Sequence, residues 1–197
     1  RLPGGTQKFW TVMEALSEVN GVIKTYTTED QKKSTNKDEP KIIPGLTAAN
    51  IKSILEKSWG LVFSGPQKGK LLFLDRGEAI DSDTGIRLMC DIYETSPQKV
   101  QWVEFIVDPS PVMGLIEVNQ ITKVAERYFS SCATISYDGA NPTKAKQWVA
   151  KNVSKAIKPG LFSTQIGKAE INLSGTKYAR FLEIIPIGGV PPPPIED

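Results

Sequence analysis

The chain has 197 residues, of which 40% are apolar and 23% charged, and 24 Lys and Arg against 22 Asp and Glu give a formal net charge of +2. This size and composition are typical of a globular protein with one sizeable core, and they exclude collagen-like repeats and wholesale disorder. The chain contains no histidine, which excludes Ser-His-Asp and Cys-His catalysis and histidine-ligated zinc.

The first predicted element is an amphipathic helix near the start of the chain. Apolar residues recur there at helical spacing: Phe9, Val12, Met13, Leu16 and Val19. From Lys24 to Lys41 the sequence is rich in charged residues and has Tyr26 as its only large apolar side chain, which is typical of a solvated linker. Residues 1–45 are therefore predicted to be a helix followed by a polar linker.

Residues 46–111 predict a first α/β unit. Thr47 is placed to cap a helix that carries Ile51 and Leu55 on its apolar face and ends at Gly60. After a turn-rich stretch, two runs rich in β-branched and aromatic residues, 86–94 and 100–107, predict a β-hairpin.

Residues 112–187 predict a second unit with a similar order of elements. An amphipathic helix around Tyr128 leads into a strand-like run at 132–137, and Asn141 with Pro142 begins a further helix predicted to reach Lys158. Two strands follow, at 168–173 and 177–185. The remaining residues, 188–197, form a Pro-rich tail that favours polyproline II.

Together these elements predict an α+β fold. It has two helix-plus-antiparallel-hairpin units that share one sheet, with the helices on one face. The similar order of helices and strands in the two units also suggests an internal duplication, although few residues are identical.

The two cysteines fit two states. Cys90 and Cys132 each belong to an apolar run, so they could form one disulfide or remain as two buried thiols. Thiol counting under denaturing, non-reducing conditions separates the two. A catalytic thiol is disfavoured because the chain has no histidine to activate it.

The stretch 81–85 resembles the opening of a calcium loop, with Asp81 and Asp83 as weak candidate ligands. A complete loop needs an acidic residue at its twelfth position, where this chain has Ile92. The sequence therefore favours an ordinary Asp/Gly turn, with no metal and no cofactor.

Carboxylates alone could still support hydrolysis, as they do in glycosidases. Seven acidic residues lie in or beside the first predicted sheet: Asp75, Glu78, Asp81, Asp83, Asp91, Glu94 and Glu104. Their spacing does not bring any two together, so an enzyme is the less favoured hypothesis and no catalytic residue is assigned.

The helix that begins at Asn141 carries a candidate interaction face. Four lysines and one aromatic residue fall within a narrow stripe: Lys144, Trp148, Lys151, Lys155 and Lys158. This stripe could dock an acidic partner or simply be a solvated helix face.

Charge and hydropathy narrow the range of partners. The largest charge excess in any third of the chain is +3, for residues 110–197, which is too small to predict nucleic-acid binding. No apolar run has the roughly 20 residues that a membrane-spanning helix needs. The chain begins at Arg1 rather than Met, which fits a processed or a truncated chain; removal of an upstream leader is one option, and a lipid tether upstream is another.

The layout resembles that of the β-lactamase inhibitor proteins and of other exported bacterial domains, often lipoproteins. The residues that carry the resemblance are Trp59-Gly60-Leu61-Val62-Phe63 with Met89-Cys90, and Phe129-Ser130-Ser131-Cys132 with Ala169-Glu170-Ile171. It covers about residues 47–186. The chain departs from the inhibitor pattern because each inhibitor repeat closes its own disulfide, whereas each unit here has one cysteine. No inhibitory residue carries over.

The sequence thus predicts a non-enzymatic binding or structural module of a bacterial cell-envelope or secreted protein, with a protein as its partner. One alternative is a hydrolase that uses an Asp/Glu pair without histidine. Another is an intracellular regulatory or immunity-type protein, which would place the chain in the cytoplasm. The oligomeric state is not predicted.

Overall fold

The computed structural model describes residues 40–69, 72–96 and 98–189. The predicted N-terminal helix, nearly all of the polar linker and most of the Pro-rich tail lie outside the described residues. Within these ranges, no helix has the length and apolar content that crossing a membrane requires.

The described part of the first predicted unit contributes one helix and five strands. The helix is α1 (Ala48–Trp59), and the strands are β1 (Val62–Phe63), β2 (Gln67–Lys68), β3 (Phe73–Ile80), β4 (Arg87–Ser96) and β5 (Lys99–Asp108). As predicted, the Thr47 side chain caps α1 by accepting a hydrogen bond from the Asn50 N–H at 3.3 Å. Gly60 ends α1 with a φ of +67°, in the left-handed region that favours glycine.

The second predicted unit contributes two helices and three strands. These are α2 (Val118–Cys132), α3 (Pro142–Asn152), β6 (Leu161–Ile166), β7 (Ala169–Gly175) and β8 (Arg180–Pro186), with short 3-10 turns at Ser110–Val112 and Val153–Lys155. The predicted cap at Asn141 is confirmed, since its side chain accepts a hydrogen bond from the Lys144 N–H at 2.9 Å.

All eight strands belong to one antiparallel sheet. Its order is β1-β3-β4-β5-β8-β7-β6, and the short β2 also pairs with β3. The two predicted units meet where β5 pairs with β8. The predicted α+β fold with one shared sheet is therefore confirmed.

The core lies between the sheet and the helices. Strand residues that are fully buried on one face, such as Cys90, Phe105 and Leu182, form one cluster with Leu55 of α1 and Tyr128 of α2. The rings of Trp59 and Tyr128 pack edge to face with centroids 5.2 Å apart, which joins the end of α1 to α2. The helices consequently cover one face of the sheet.

Three local predictions were wrong. The run 132–137 is not a strand, because α2 continues to Cys132 and the following buried side chains, such as Tyr137, pack against the core without joining a ladder. The helix α3 ends at Asn152 rather than Lys158, where the backbone tightens into a 3-10 turn. Strand β6 was not predicted, because its six residues, two apolar, three polar and one apolar in order, lack the strict alternation that indicates a half-buried strand.

Candidate functional site

A row of polar side chains crosses the sheet on the face opposite α1 and α2. The strand register places Asp91 opposite Glu104, Glu104 opposite Glu183, and Glu183 opposite Asn172. Residues directly opposite each other in antiparallel strands have Cβ atoms about 4.5–5.5 Å apart, so these side chains are immediate neighbours. Sequence reasoning missed Glu183 and Asn172, because the pairing of β5 with β8 has no local signal.

Glu104 and Glu183 are a closely coupled pair. Both are half-buried, and burial raises the pKa of Glu104 to about 7, with the nearby Asp91 carboxylate raising it further. Burial and the Glu104 charge raise the pKa of Glu183 to about 8. Near neutral pH, two such neighbours cannot both be ionised at low cost without a counter-charge.

Asp91 already has a counter-charge. The Arg76 guanidinium donates two hydrogen bonds to it, Nε to Oδ1 at 2.7 Å and Nη2 to Oδ2 at 2.5 Å. This bidentate contact raises the pKa of Arg76, chiefly through the hydrogen bond itself. Arg76 also lowers the pKa of Glu104, but its own guanidinium is held by Asp91.

Asn172 continues the row beyond Glu183. Its side chain is 5% exposed, and it lowers the pKa of Glu183 through a hydrogen bond, as an amide N–H donor does. Its Oδ1 has no hydrogen-bond partner among the described residues. A buried acceptor without a donor costs free energy, so Asn172 is a strained point of the row.

A second polar cluster lies at the start of α1, beside a pocket of about 380 Å³ that Lys52, Glu94 and Gln98 help to line. Lys52 forms an ion pair with Asp75, whose side chain is 1% exposed and also accepts a hydrogen bond from the Gly65 N–H at 3.1 Å. Burial raises the pKa of Glu94, which accepts a hydrogen bond from the Gln98 N–H at 3.2 Å.

We expect Asp75→Ala to destabilise the protein by about 2–4 kcal/mol, because it leaves Lys52 and the half-buried Gly65 N–H without their partner. Urea unfolding measures the loss. The matched control is Asp83→Ala, since the Asp83 side chain is 74% exposed and lies 3.7 Å from Arg127. Its loss should stay below about 0.5 kcal/mol, and equal losses in the two variants would contradict a structural role for the buried pair.

A third candidate is an open groove of about 700 Å³ on the helical layer. Its lining combines three cations, one carboxylate and three hydroxyls: Lys123, Arg127, Lys146, Glu126, Ser130, Ser131 and Thr134. These residues come from α2, from the segment that follows it and from α3. Sequence reasoning singled out a different stripe of α3 and not this groove, because the groove arises from the packing of the two helices.

The predicted interaction face lies on the same helix as Lys146 of this groove but on another side of it, because Lys144, Trp148 and Lys151 are rotated by about 140–200° around α3 from Lys146. Lys144, Lys151, Lys155 and Lys158 are all exposed, and Trp148 is half-buried against the core. Lys144, Trp148 and Lys151 lie on α3, whereas Lys155 belongs to the 3-10 turn and Lys158 lies beyond it. The four lysines therefore form a second basic surface of the helical layer, separate from the lining of the groove.

Cys90 and Cys132 are both fully buried beside Tyr128 and are free thiols in this structure. Burial raises the pKa of each thiol well above its ordinary value, so neither is an activated nucleophile. The disulfide stays a prediction.

Asp81 and Asp83 lie in the predicted turn. Arg127 lies 3.1 Å from Asp81 Oδ1 and 3.7 Å from Asp83 Oδ2, and the Thr84 hydroxyl donates to Asp81 Oδ2 at 2.6 Å. The guanidinium thus supplies the positive charge that a calcium ion would bring. Across the described ranges, no three Asp, Glu, Cys or His side chains converge as metal ligands.

Comparison of the chain with models of protein families, with curated proteins and with solved structures gives no match. The resemblance to the β-lactamase inhibitor layout therefore stays a prediction. Function has to be argued from the chemistry of the surfaces described above.

Proposed function

We propose that the chain is a non-enzymatic binding module that docks an acidic protein surface on its α2–α3 layer. We place it in the cell envelope or outside the cell, as the resemblance in layout implies. Fractionation of the cells that produce it tests that location.

The observation that carries the proposal is the basic groove and the charge around it. Residues 118–158 contain two acidic residues, Glu126 and Asp138, against seven exposed basic ones: Lys123, Arg127, Lys144, Lys146, Lys151, Lys155 and Lys158. Asp81 and Asp83 offset part of the Arg127 charge, but the lysines stay exposed. Such a concentrated field steers an acidic partner and selects against basic ones.

A protein fits this surface better than a nucleic acid does. Glu126 lies among the cations of the groove and would repel phosphates, whereas a protein partner can supply a lysine or a hydroxyl for it. The loop before α2 also exposes Leu115 by 88% and Met113 by 48%. A protein interface typically combines apolar with charged contacts.

The pocket geometry disfavours the hydrolase alternative. Hydrolysis by carboxylates needs two of them free to act, and Asp75 is engaged by Lys52 and Gly65. Glu94 is then the carboxylate that lines the pocket of about 380 Å³ at the start of α1. Glu104 and Glu183 line neither of the two pockets described above.

A labelled, glutamate-rich peptide titrated at low salt and followed by fluorescence anisotropy tests the proposal. The variant Lys123→Glu/Arg127→Glu/Lys146→Glu should bind at least about 10-fold more weakly, because it reverses the charge of the three cations that line the groove. The matched control, Lys57→Glu/Lys68→Glu/Lys99→Glu, has the same net charge and alters exposed lysines of the first unit. It should bind within about 3-fold of the parent.

Equal losses in the two triple variants would mean that binding follows net charge alone, and the proposed surface would be wrong. Duplex DNA and anionic lipid vesicles serve as competing probes. If the chain binds duplex DNA or the vesicles more tightly than it binds the peptide, its partner is a nucleic acid or a membrane rather than a protein.

A further inference from the structure

Strand β6 is an outer strand of the sheet and lacks the features that usually protect such an edge. Among the described residues, β7 is the one strand that pairs with it, and the register runs from Leu161 to Ile166 without a bulge. Its sequence contains no charged residue and no proline. The other edge of the sheet is protected, because β1 and β2 have two residues each and Pro66 lies between them.

The backbone of β6 directs alternate N–H and C=O groups away from β7. A two-residue turn joins the two strands, so Ile166 and Ala169 form the first hydrogen-bonded pair of the hairpin. Because such pairs alternate along an antiparallel ladder, the outward-pointing groups belong to Leu161, Ser163 and Gln165. Three consecutive donor and acceptor sets are thus placed to pair with a further strand.

The second basic surface lies beside this edge. The helix α2 packs on β5 and β8, whereas α3 packs on β6, which makes α3 the helix nearest the edge. Lys146 lines the groove together with residues of α2, and Lys144, Trp148 and Lys151 lie on the opposite flank of α3, turned toward the edge. Residues 142–158 contain no acidic residue, so α3 places only positive charge there.

We propose that β6 accepts an extended, acidic segment of a partner protein as an additional antiparallel strand. In this mode of recognition, main-chain hydrogen bonds supply affinity and alternate side chains supply specificity. Segment residues opposite Phe162 and Thr164 project on the helix side of the sheet, where Phe162 packs against the core. Acidic side chains at these positions face the lysines of α3. The site is separate from the groove of the proposed function and does not rest on it.

The charge of the edge also decides between a partner protein and a second copy of this chain. A two-fold axis that paired β6 with its own copy would bring the lysine flanks of two α3 helices toward each other. Like charges placed in this way oppose association. An acidic segment instead complements the flank.

An NMR titration of the isotope-labelled full chain, at low salt, with a peptide that alternates glutamate and valine tests the site. The amide signals of Ser163 and Gln165 report on the edge, and those of Lys123 and Lys146 report on the groove, so the two proposals fail independently. Bound peptide should slow hydrogen exchange of the two edge amides at least about 10-fold, because they become hydrogen-bonded.

Methylation of the peptide backbone separates strand pairing from charge attraction. In the antiparallel arrangement the valine N–H groups face β6 and the glutamate N–H groups face away. Methylating the valine nitrogens should therefore weaken binding at the edge at least about 10-fold, whereas methylating the glutamate nitrogens should change it less than about 3-fold.

Two pairs of protein variants complete the test. Ser163→Pro removes one outward N–H and keeps the β6–β7 ladder, so it should weaken binding at least about 10-fold, while Ser163→Ala should stay within about 3-fold of the parent. Lys144→Glu/Lys151→Glu should also weaken binding at the edge at least about 10-fold. The charge-matched variant Lys123→Glu/Lys146→Glu, in the groove, should leave it within about 3-fold.

Unchanged exchange of the Ser163 and Gln165 amides at saturating peptide would overturn the proposal. Equal effects of the two methylation patterns would overturn it as well, because the peptide would then be held by charge alone. A dimer of the parent that Ser163→Pro dissociates would show that the edge pairs with a second copy instead.

Discussion

Replacing Gly167 with alanine is expected to destabilise the protein by about 3 kcal/mol or more. Gly167 forms the turn between β6 and β7 with a φ of +59°, where L side chains are strained. An alanine Cβ there would lie 2.3 Å from both the carbonyl carbon and the oxygen of Gly139 and 2.7 Å from the Asp138 oxygen. Because these are backbone atoms, they cannot move aside as a flexible side chain can.

The matched control is Gly114→Ala. Gly114 also has a positive φ, +89°, but a Cβ at that position has no heavy atom within 4 Å apart from its chain neighbours. Its cost should therefore be the backbone strain alone, about 1 kcal/mol. Urea unfolding of both variants separates the two causes, and a loss at Gly167 no larger than that at Gly114 would show that the close packing is unimportant.

The turn between β6 and β7 also holds two parts of the fold together. The Lys168 N–H donates to the Asp138 oxygen at 3.0 Å, and the Tyr137 hydroxyl donates to the Ile166 oxygen at 3.0 Å. These contacts join the segment between α2 and α3 to the β6–β7 hairpin. The hairpin carries Asn172, so the turn connects the helical layer to the polar row on the opposite face.

The sequence contains enough information to predict the local elements of this fold. Thr47 and Asn141 are placed as caps because their short polar side chains precede apolar helical repeats, and both cap as expected. The hairpin of β4 and β5 is predicted because two β-rich runs flank a short polar spacer. These predictions succeed because each depends on interactions within about ten residues.

The candidate sites depend on contacts between residues far apart in the chain, and the local pattern of a single sequence does not predict such contacts. Glu104 was noted as an acidic residue of a predicted strand, and Glu183 lies in another predicted strand. They meet because β5 pairs with β8, and a shift of one residue in that register would put Glu183 on the helix face. The basic groove likewise requires α2 and α3 to pack side by side, although the lysine stripe of α3 was visible from its spacing.

The second large effect is expected at the glutamate pair, where Glu183→Gln should stabilise the protein at high pH. The folded-state pKa of Glu183 is raised to about 8 and that of Glu104 to about 7, against an ordinary value of 4.5 in the unfolded chain. Between these values the folded state binds more protons than the unfolded state, so the free energy of unfolding falls as pH rises from about 5 to about 8. Below pH 4 both states are protonated, and the contribution is constant.

Because the two carboxylates titrate as a coupled pair, we expect the parent protein in EDTA to lose about 2–4 kcal/mol of stability between pH 5 and pH 9. Glu183→Gln keeps an acceptor for Asn172 and removes one charge. At pH 9 its free energy of unfolding should therefore exceed that of the parent by about 2 kcal/mol, whereas at pH 5 the two should agree within about 0.5 kcal/mol.

Urea unfolding at both pH values measures this difference, with Glu78→Gln as the exposed control. A pH dependence that is the same in parent and Glu183→Gln would mean that the pair is solvated and independent.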